Sequence, residues 1–194
     1  MNMTSNAPAI ASKWSPDRTS TESAAPVRLR RATQRDIDAI HGLIESHLQS
    51  GHLLPRMRSE IAAQYRQFVV ATQDGAVVGC AELVPLAVDV GEVRSLVVAD
   101  HVQGAGVGRS LVSAVTDAAV RAGLRRLCAF THQPGFFVRL GFTILPHLHV
   151  PEKVFTDCVR CPLFRSCGQQ AVVLALEPPR PASGRQRIAL RRIR

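Results

Sequence analysis

Residues 93–98, Val93-Arg94-Ser95-Leu96-Val97-Val98, read as a strand that meets a short turn and then Gln103-Gly104-Ala105-Gly106-Val107-Gly108-Arg109 at the head of a helical pattern. Three glycines at alternating positions cost backbone entropy, and what they give in return is close approach of the main chain to something else. A strand that feeds a helix through such a loop aims backbone N–H groups and the helix N-terminus at one point, where an anion is favoured. The spacing is not the G-x-G-x-x-G of a dinucleotide fold, and Gly108 is followed by Arg109 rather than the Lys of a Walker loop. The segment reads as a cradle for a pyrophosphate. The bland alternative is a flexible turn into a helix.

Around this loop the signals alternate between strand and helix. Residues 27–31 alternate apolar and basic side chains, as a first strand does. Thr33 offers an N-cap oxygen with Asp36 three positions on, and Ile37, Ile40, Leu43, Ile44 and Leu48 follow as one helical stripe that Gly51 ends. Residues 59–67 give a weaker helix. Residues 68–72, the Asp74-Gly75 turn and residues 76–84 make a hairpin, because Asp-Gly tolerates the positive φ of a tight primed turn. A strand is predicted over 91–98 and a helix over 104–122, closed by Gly123. A strand over 126–130, a short helix over 134–140, and strands over 142–145 and 171–176 complete the chain. The pattern predicts an α/β fold, a single mixed central sheet flanked by helices.

Of the 194 residues, 46% are hydrophobic and 20% charged, which is globular composition. The net charge of +9 suggests a nucleic-acid binder until it is located. Six arginines and no acid lie after residue 177, whereas residues 32–177 balance 13 basic against 13 acidic side chains. A basic face on the domain is therefore not indicated, and nucleic acid is not the expected partner. Residues 1–25, rich in Ser, Thr, Ala and Pro, read as a disordered leader, residues 26–177 as the domain, and residues 178–194 as a flexible basic tail. Ile188, Leu190 and Ile193 among the tail arginines leave a basic amphipathic turn as its second reading. Apolar stretches fall short of the ~20 residues of a membrane span, and the N-terminus lacks a secretory h-region, so a cytoplasmic protein is expected.

The residues Gln103 to Gly108, in the order Q-x-x-G-x-G after Leu96-Val97-Val98, resemble the acetyl-CoA site of the GNAT superfamily of N-acetyltransferases. Thr33-Gln-Arg-Asp36 and Phe136-Phe137-x-x-x-Gly141-Phe142 fit the same family, over about residues 26–177. The resemblance implies the GNAT acyl-CoA N-acyltransferase fold and acetyl-CoA as co-substrate. It places Leu96, Val97 and Val98 against the pantetheine arm. The amides of Gln103, Gly104, Ala105, Gly106, Val107, Gly108 and Arg109 would lie on the pyrophosphate. Glu92 matches a glutamate general base found in several members. Its alternative is a simple ion pair with Arg94 on the same strand face. A tyrosine acid common in the family is replaced by Phe137, so the departing thiolate takes its proton from solvent or another group.

Gly51-His-Leu-Leu-Pro-Arg56-Met-Arg58-Ser-Glu60 resembles the substrate segment of N-acetylglutamate synthases, and residues 151–171 resemble the ending of their short, stand-alone forms. These enzymes acetylate the α-amino group of L-glutamate at the start of arginine biosynthesis. The likeness implies that Arg56 and Arg58 grip substrate carboxylates, with Arg94 beside them, since guanidinium forks match carboxylate geometry. Gly168-Gln169-Gln170 departs from the acidic pair usual after Cys167. Another amino acid or small amine is the alternative acceptor, and a non-catalytic acetyl-CoA-binding regulator using the arginine tail is a third reading. A homodimer is left open.

Cys158-x2-Cys161-x5-Cys167 invites zinc, with His147 or His149 as a fourth ligand. The irregular spacing and the lack of a second CxxC favour packing thiols, so no metal is expected. With Cys80 and Cys128 the cysteines number five, an odd count that argues against a disulfide framework.

Overall fold

The Asp74-Gly75 turn starts the hairpin that the first half of the sheet is built on. Both residues take positive φ, 50° and 81°, and the turn joins β2 (Phe68–Gln73) to β3 (Ala76–Pro85) as an antiparallel hairpin. A computed structural model describes residues 25–48 and 53–177. The leader and the tail lie outside the described residues, apart from Ala25, as does Gly51 itself. The first helix ends at Ser46 with His47 as its C-cap, five residues short of the stop expected at Gly51. β1 (Arg28–Arg31) pairs antiparallel with β2, and β3 pairs antiparallel with β4 (Val90–Val98). β5 (Arg126–Thr131), β6 (Thr143–Leu145) and β7 (Gln170–Ala175) complete one seven-stranded sheet in the order β1-β2-β3-β4-β5-β7-β6. Only the central β4–β5 pair is parallel, so the sheet is mixed.

The described residues form five α-helices, of which α1 and α3 pack on opposite faces of the sheet. α1 (Ile37–Ser46) begins after a 3₁₀ turn, where the Asp36 carboxylate accepts from Thr33 N–H and O–H at 2.7 and 2.8 Å. α2 (Arg58–Gln64) is the weakly predicted helix. Ile40, Ile44 and Ile61 of α1 and α2 pack on Phe68, Val70, Cys80 and Val97. α3 (Val107–Arg121) lays Leu111, Val112, Val115 and Ala119 on the opposite face, against Ala71, Ala81 and Val93. α4 (Pro134–Val138) joins that core through Phe137, and α5 (Pro151–Thr156) lies within a segment the hydrophobic pattern had not marked.

The predicted helix over 104–122 begins three residues later than expected, at Val107. Gly104 and Gly106 have φ of 79° and 83°, left-handed values that end the turn before the helix starts. β4 carries a further irregularity. Its register against β3 slips by one residue between the Cys80–Val97 and Glu82–Arg94 pairs, and Ser95 there has φ of 51°. This is a β-bulge, and it reverses the faces of the strand. Val93 packs toward α3 before it, whereas Leu96 and Val98 do so after it and Val97 turns to α1.

Candidate active site

β4 and β5 pair only from Val90–Arg126 to Glu92–Cys128, and then part. β5 continues along β7 to Thr131, so β4 from Arg94 onward has a neighbouring strand on its β3 side alone. A cleft of ≈ 1450 Å³ opens at this divergence. Its walls come from β4, the loop and first turn of α3, the C-terminal end of β5, α4, the segment before α2, and α5 with the residues after it. A strand edge with unpaired main-chain groups is a ready site for an extended amide-bearing ligand.

At one end of the cleft stands the N-terminus of α3. The first helical hydrogen bond runs from Ser110 N–H to the Gly106 carbonyl at 3.0 Å, which leaves the amides of Val107, Gly108 and Arg109 outside the ladder. The first turn packs on α4 and β4: a Cβ at Gly108 would meet the Phe136 ring at 3.4 Å and Val98 at 3.7 Å, ordinary contact distances that do not by themselves demand glycine. Gln103 closes the loop, its side-chain amide donating to the Val98 carbonyl and to Asp100, both at 2.9 Å. The dipole, the free amides and the Arg109 side chain all favour an anion.

Further along β4, Glu92 is 3% exposed and accepts from Arg94 Nε at 3.0 Å and Lys153 Nζ at 2.9 Å. Lys153 and Arg94 both also reach Asp157, with 2.7 Å from Lys153. Burial alone would lower the Arg94 guanidinium, but Glu92 and Asp157 outweigh it and hold it above its ordinary value. Burial would likewise raise the Asp157 carboxyl, yet the Lys153 and Arg94 donors hold it low. Two cations and two carboxylates thus interlock on the cleft wall. Lys153 sits 5.9 Å from the Phe130 ring centroid.

The structure brings most of the expected residues together. Glu92, Arg94, Leu96, Val97, Val98, Gln103, Gly104, Gly106, Val107, Gly108, Arg109 and Arg56 all line this cleft. Ala105 does not line it. Neither does Arg58, an exposed side chain on α2 whose Nε donates to Asp38 of α1. Arg56 reaches the cleft and is held by Glu60, Glu82, Ser95 and Gln64. Both the base and the ion-pair readings of Glu92 have a geometric counterpart, since its carboxylate lines the cleft while bonded to Arg94. The residue patterns had assigned no role to Lys153, Asp157 or Glu82. The first two form an i,i+4 pair that spacing alone shows, and Glu82 is a lone acid in an otherwise apolar strand.

The three clustered cysteines, Cys158, Cys161 and Cys167, also line the cleft. Among the described residues no three His, Cys, Asp or Glu side chains are grouped to hold a metal ion. All five cysteines are free. Burial pushes the Cys80 and Cys128 thiols up to about 12, so neither is a thiolate nucleophile. Among the described residues no helix is long and apolar enough to cross a membrane.

Comparison with known proteins fits this geometry. Residues 64–144 match the acetyltransferase (GNAT) domain family. An uncharacterised N-acetyltransferase of Chlorobaculum tepidum is 31% identical over 79% of this chain and 99% of its own length. An amino-acid acetyltransferase of Mycobacterium tuberculosis is 31% identical over 68% of this chain and 77% of its own. The amino-acid acetyltransferase of Neisseria meningitidis is 32% identical, but the chain spans only 35% of that longer protein. Among solved structures, N-acetylglutamate synthase from Neisseria gonorrhoeae, complexed with coenzyme A and N-acetyl-glutamate, superposes with TM-score 0.72 at 29% identity. That match covers 79% of this chain and 36% of the synthase. The splayed central strands, the glycine loop at a helix N-terminus and these relatives agree, and the chain belongs to the GNAT family of acetyltransferases.

Proposed function

We propose that this chain transfers the acetyl group of acetyl-CoA to the α-amino group of L-glutamate, by direct attack with both substrates bound in the cleft. The observation that carries the reading is the divergence of β4 from β5 between Glu92 and the α3 N-terminus. It supplies, along one line, a strand edge for the pantetheine amides, free helix amides for the pyrophosphate, and a buried carboxylate at the far end. The relatives named amino-acid acetyltransferases, and the solved synthase with its N-acetyl-glutamate, support an amino acid as the acceptor.

In this reading the amides of residues 107–109 hold the pyrophosphate and the β4 edge aligns the arm. Catalysis comes chiefly from positioning and from main-chain N–H groups polarising the thioester carbonyl. The acceptor amine must be neutral to attack. Glu92, enclosed by Arg94 and Lys153, takes its proton through a water rather than by direct contact. Phe137, buried between Phe136 and Phe142, has no proton to give, so the thiolate is protonated by solvent or another polar group. Arg94, Lys153 and Arg56 are the cationic donors at this end of the cleft, and a dicarboxylate acceptor would share them with the carboxylates that now hold them.

The test is release of free CoA from acetyl-CoA with each of the twenty amino acids, on the full chain and on Glu92→Gln. Turnover confined to glutamate, with kcat lowered about 100-fold in the variant, is the expected result. Turnover with a different amine keeps the fold and the loop but replaces the acceptor. Binding of acetyl-CoA with no acetylation of any amine overturns the catalytic reading in favour of a regulator.

A further inference from the structure

Three charged side chains are buried among the described residues: Asp36, Glu82 and Glu92. Asp36 ties β1 to α1, and Glu92 belongs to the cleft. Glu82, on β3, is the most enclosed of the three at 0% exposure. Its Oε2 accepts from Arg56 Nη1 at 2.8 Å, while its Oε1 is buried with no partner. Burying a carboxylate with an oxygen unsatisfied is costly, and a packed apolar side chain would serve the core as well or better. Glu82 is therefore poorly explained by core stability.

What Glu82 holds is Arg56, and what Arg56 holds is the bulge in β4. The same Nη1 donates to Ser95 Oγ at 3.1 Å, while Nη2 donates to Gln64 at 2.9 Å and Nε to Glu60 at 3.3 Å. Four of its five N–H groups are spent inside the protein. Ser95 at φ 51° and Asp74 in the hairpin turn are the described non-glycine residues with positive φ. For an L-residue that conformation is sterically unfavourable, so the surroundings must impose it. The bulge decides which side chains of residues 96–98 face α3 and which face α1, and thereby how the strand edge lies along the cleft.

We propose that Glu82 is a positioning residue for the acetyl-CoA strand. Through Arg56 it holds Ser95 in its left-handed conformation and so fixes β4 beyond the bulge. The inference rests on the reading that acetyl-CoA lies along β4. It places Arg56 chiefly in the scaffold of the cleft, with one N–H left for an acceptor.

The test measures CoA affinity by calorimetry, together with KM for acetyl-CoA and kcat, on the full-length chain. Glu82→Gln keeps the shape and removes the charge. It is expected to raise Kd and KM about tenfold while kcat moves less than about twofold. Arg56→Lys, which leaves Glu82 paired but loses the fork to Ser95, should raise Kd for CoA by the same factor and serves if Glu82→Gln does not fold; CoA binding alone is its readout, because Arg56 also faces the acceptor. Adding Ser95→Gly to either variant should restore affinity to within about twofold, because glycine takes positive φ without a clamp. A merely structural Glu82 would change the melting temperature, leave KM of the folded protein unmoved and show no glycine rescue. Unchanged affinity in the folded variants, or failure of Ser95→Gly to rescue, overturns this inference alone. A wild-type chain that binds no CoA overturns the functional reading with it.

Discussion

Gly106 is where backbone chemistry and ligand chemistry meet. Its φ of 83° caps α3, and a Cβ built there would meet nothing within 4 Å, so its side is open toward the cleft it lines. Gly106→Asp tests the anion cradle directly. Aspartate tolerates the left-handed region better than most residues, so the fold should survive. The carboxylate would stand among the amides proposed to hold the pyrophosphate, and CoA binding should weaken at least tenfold, about 1.4 kcal/mol. Calorimetry on the folded variant decides it, and unchanged affinity removes the pyrophosphate assignment. The loop itself was legible because glycine has few uses at that spacing. Ser95 was not: nothing about a serine inside a strand pattern announces a positive φ, and period-two alternation read through it assigns residues 96–98 to the wrong faces.

Elements were legible where a period or a turn residue is strong. The α1 and α3 stripes and the Asp-Gly hairpin came out within a few residues, whereas α5 and the short 3₁₀ turns after it follow tertiary contacts and left no period to read. The junction of β1 and α1 shows how local chemistry fixes an element's start. Asp36 accepts both Arg30 Nη atoms at 2.7 Å as well as the two Thr33 donors. The Arg30 bonds first, and then the Thr33 donors, hold its carboxyl well below the usual range against the opposing effect of burial. Its folded value lies below its unfolded value of about 3.9, so its contribution to stability is complete above that pH and is lost as pH falls further. Asp36→Asn keeps one acceptor and loses the fork, at a cost of about 1 kcal/mol, since the Arg30 end of the bridge is partly solvated. Urea midpoints at about pH 6 and pH 3.5 check both parts: the variant should be weaker at the higher pH and should lose less than the wild type on acidification.

At the scale of the whole molecule the cleft joins parts far apart in the chain. Lys153 and Asp157 reach Glu92 and Arg94 across some sixty positions, and Arg56 reaches Glu82 and Ser95 across 26 and 39. A residue pattern marks a loop or a stripe, but it carries no record of which distant charge meets which, so the interlocked wall was invisible before folding. The same map bears on the arginine-rich end. Among the described residues the cleft lining runs no further along the chain than Gln169, and β7 is secured by Leu176 N–H donating to the Arg125 carbonyl at 2.8 Å. Deleting residues 178–194 therefore removes six arginines and no described wall of the cleft. An acetyltransferase should keep kcat/KM within about twofold and its melting temperature with it, because chemistry depends on the transition-state contacts inside the cleft. A regulator that reaches an acidic partner through those arginines should instead bind CoA as before and lose salt-dependent association with that partner. Measuring turnover and CoA affinity on the same truncated chain separates the two: retained turnover places function in the cleft, and retained CoA binding without turnover in either form places it in the tail.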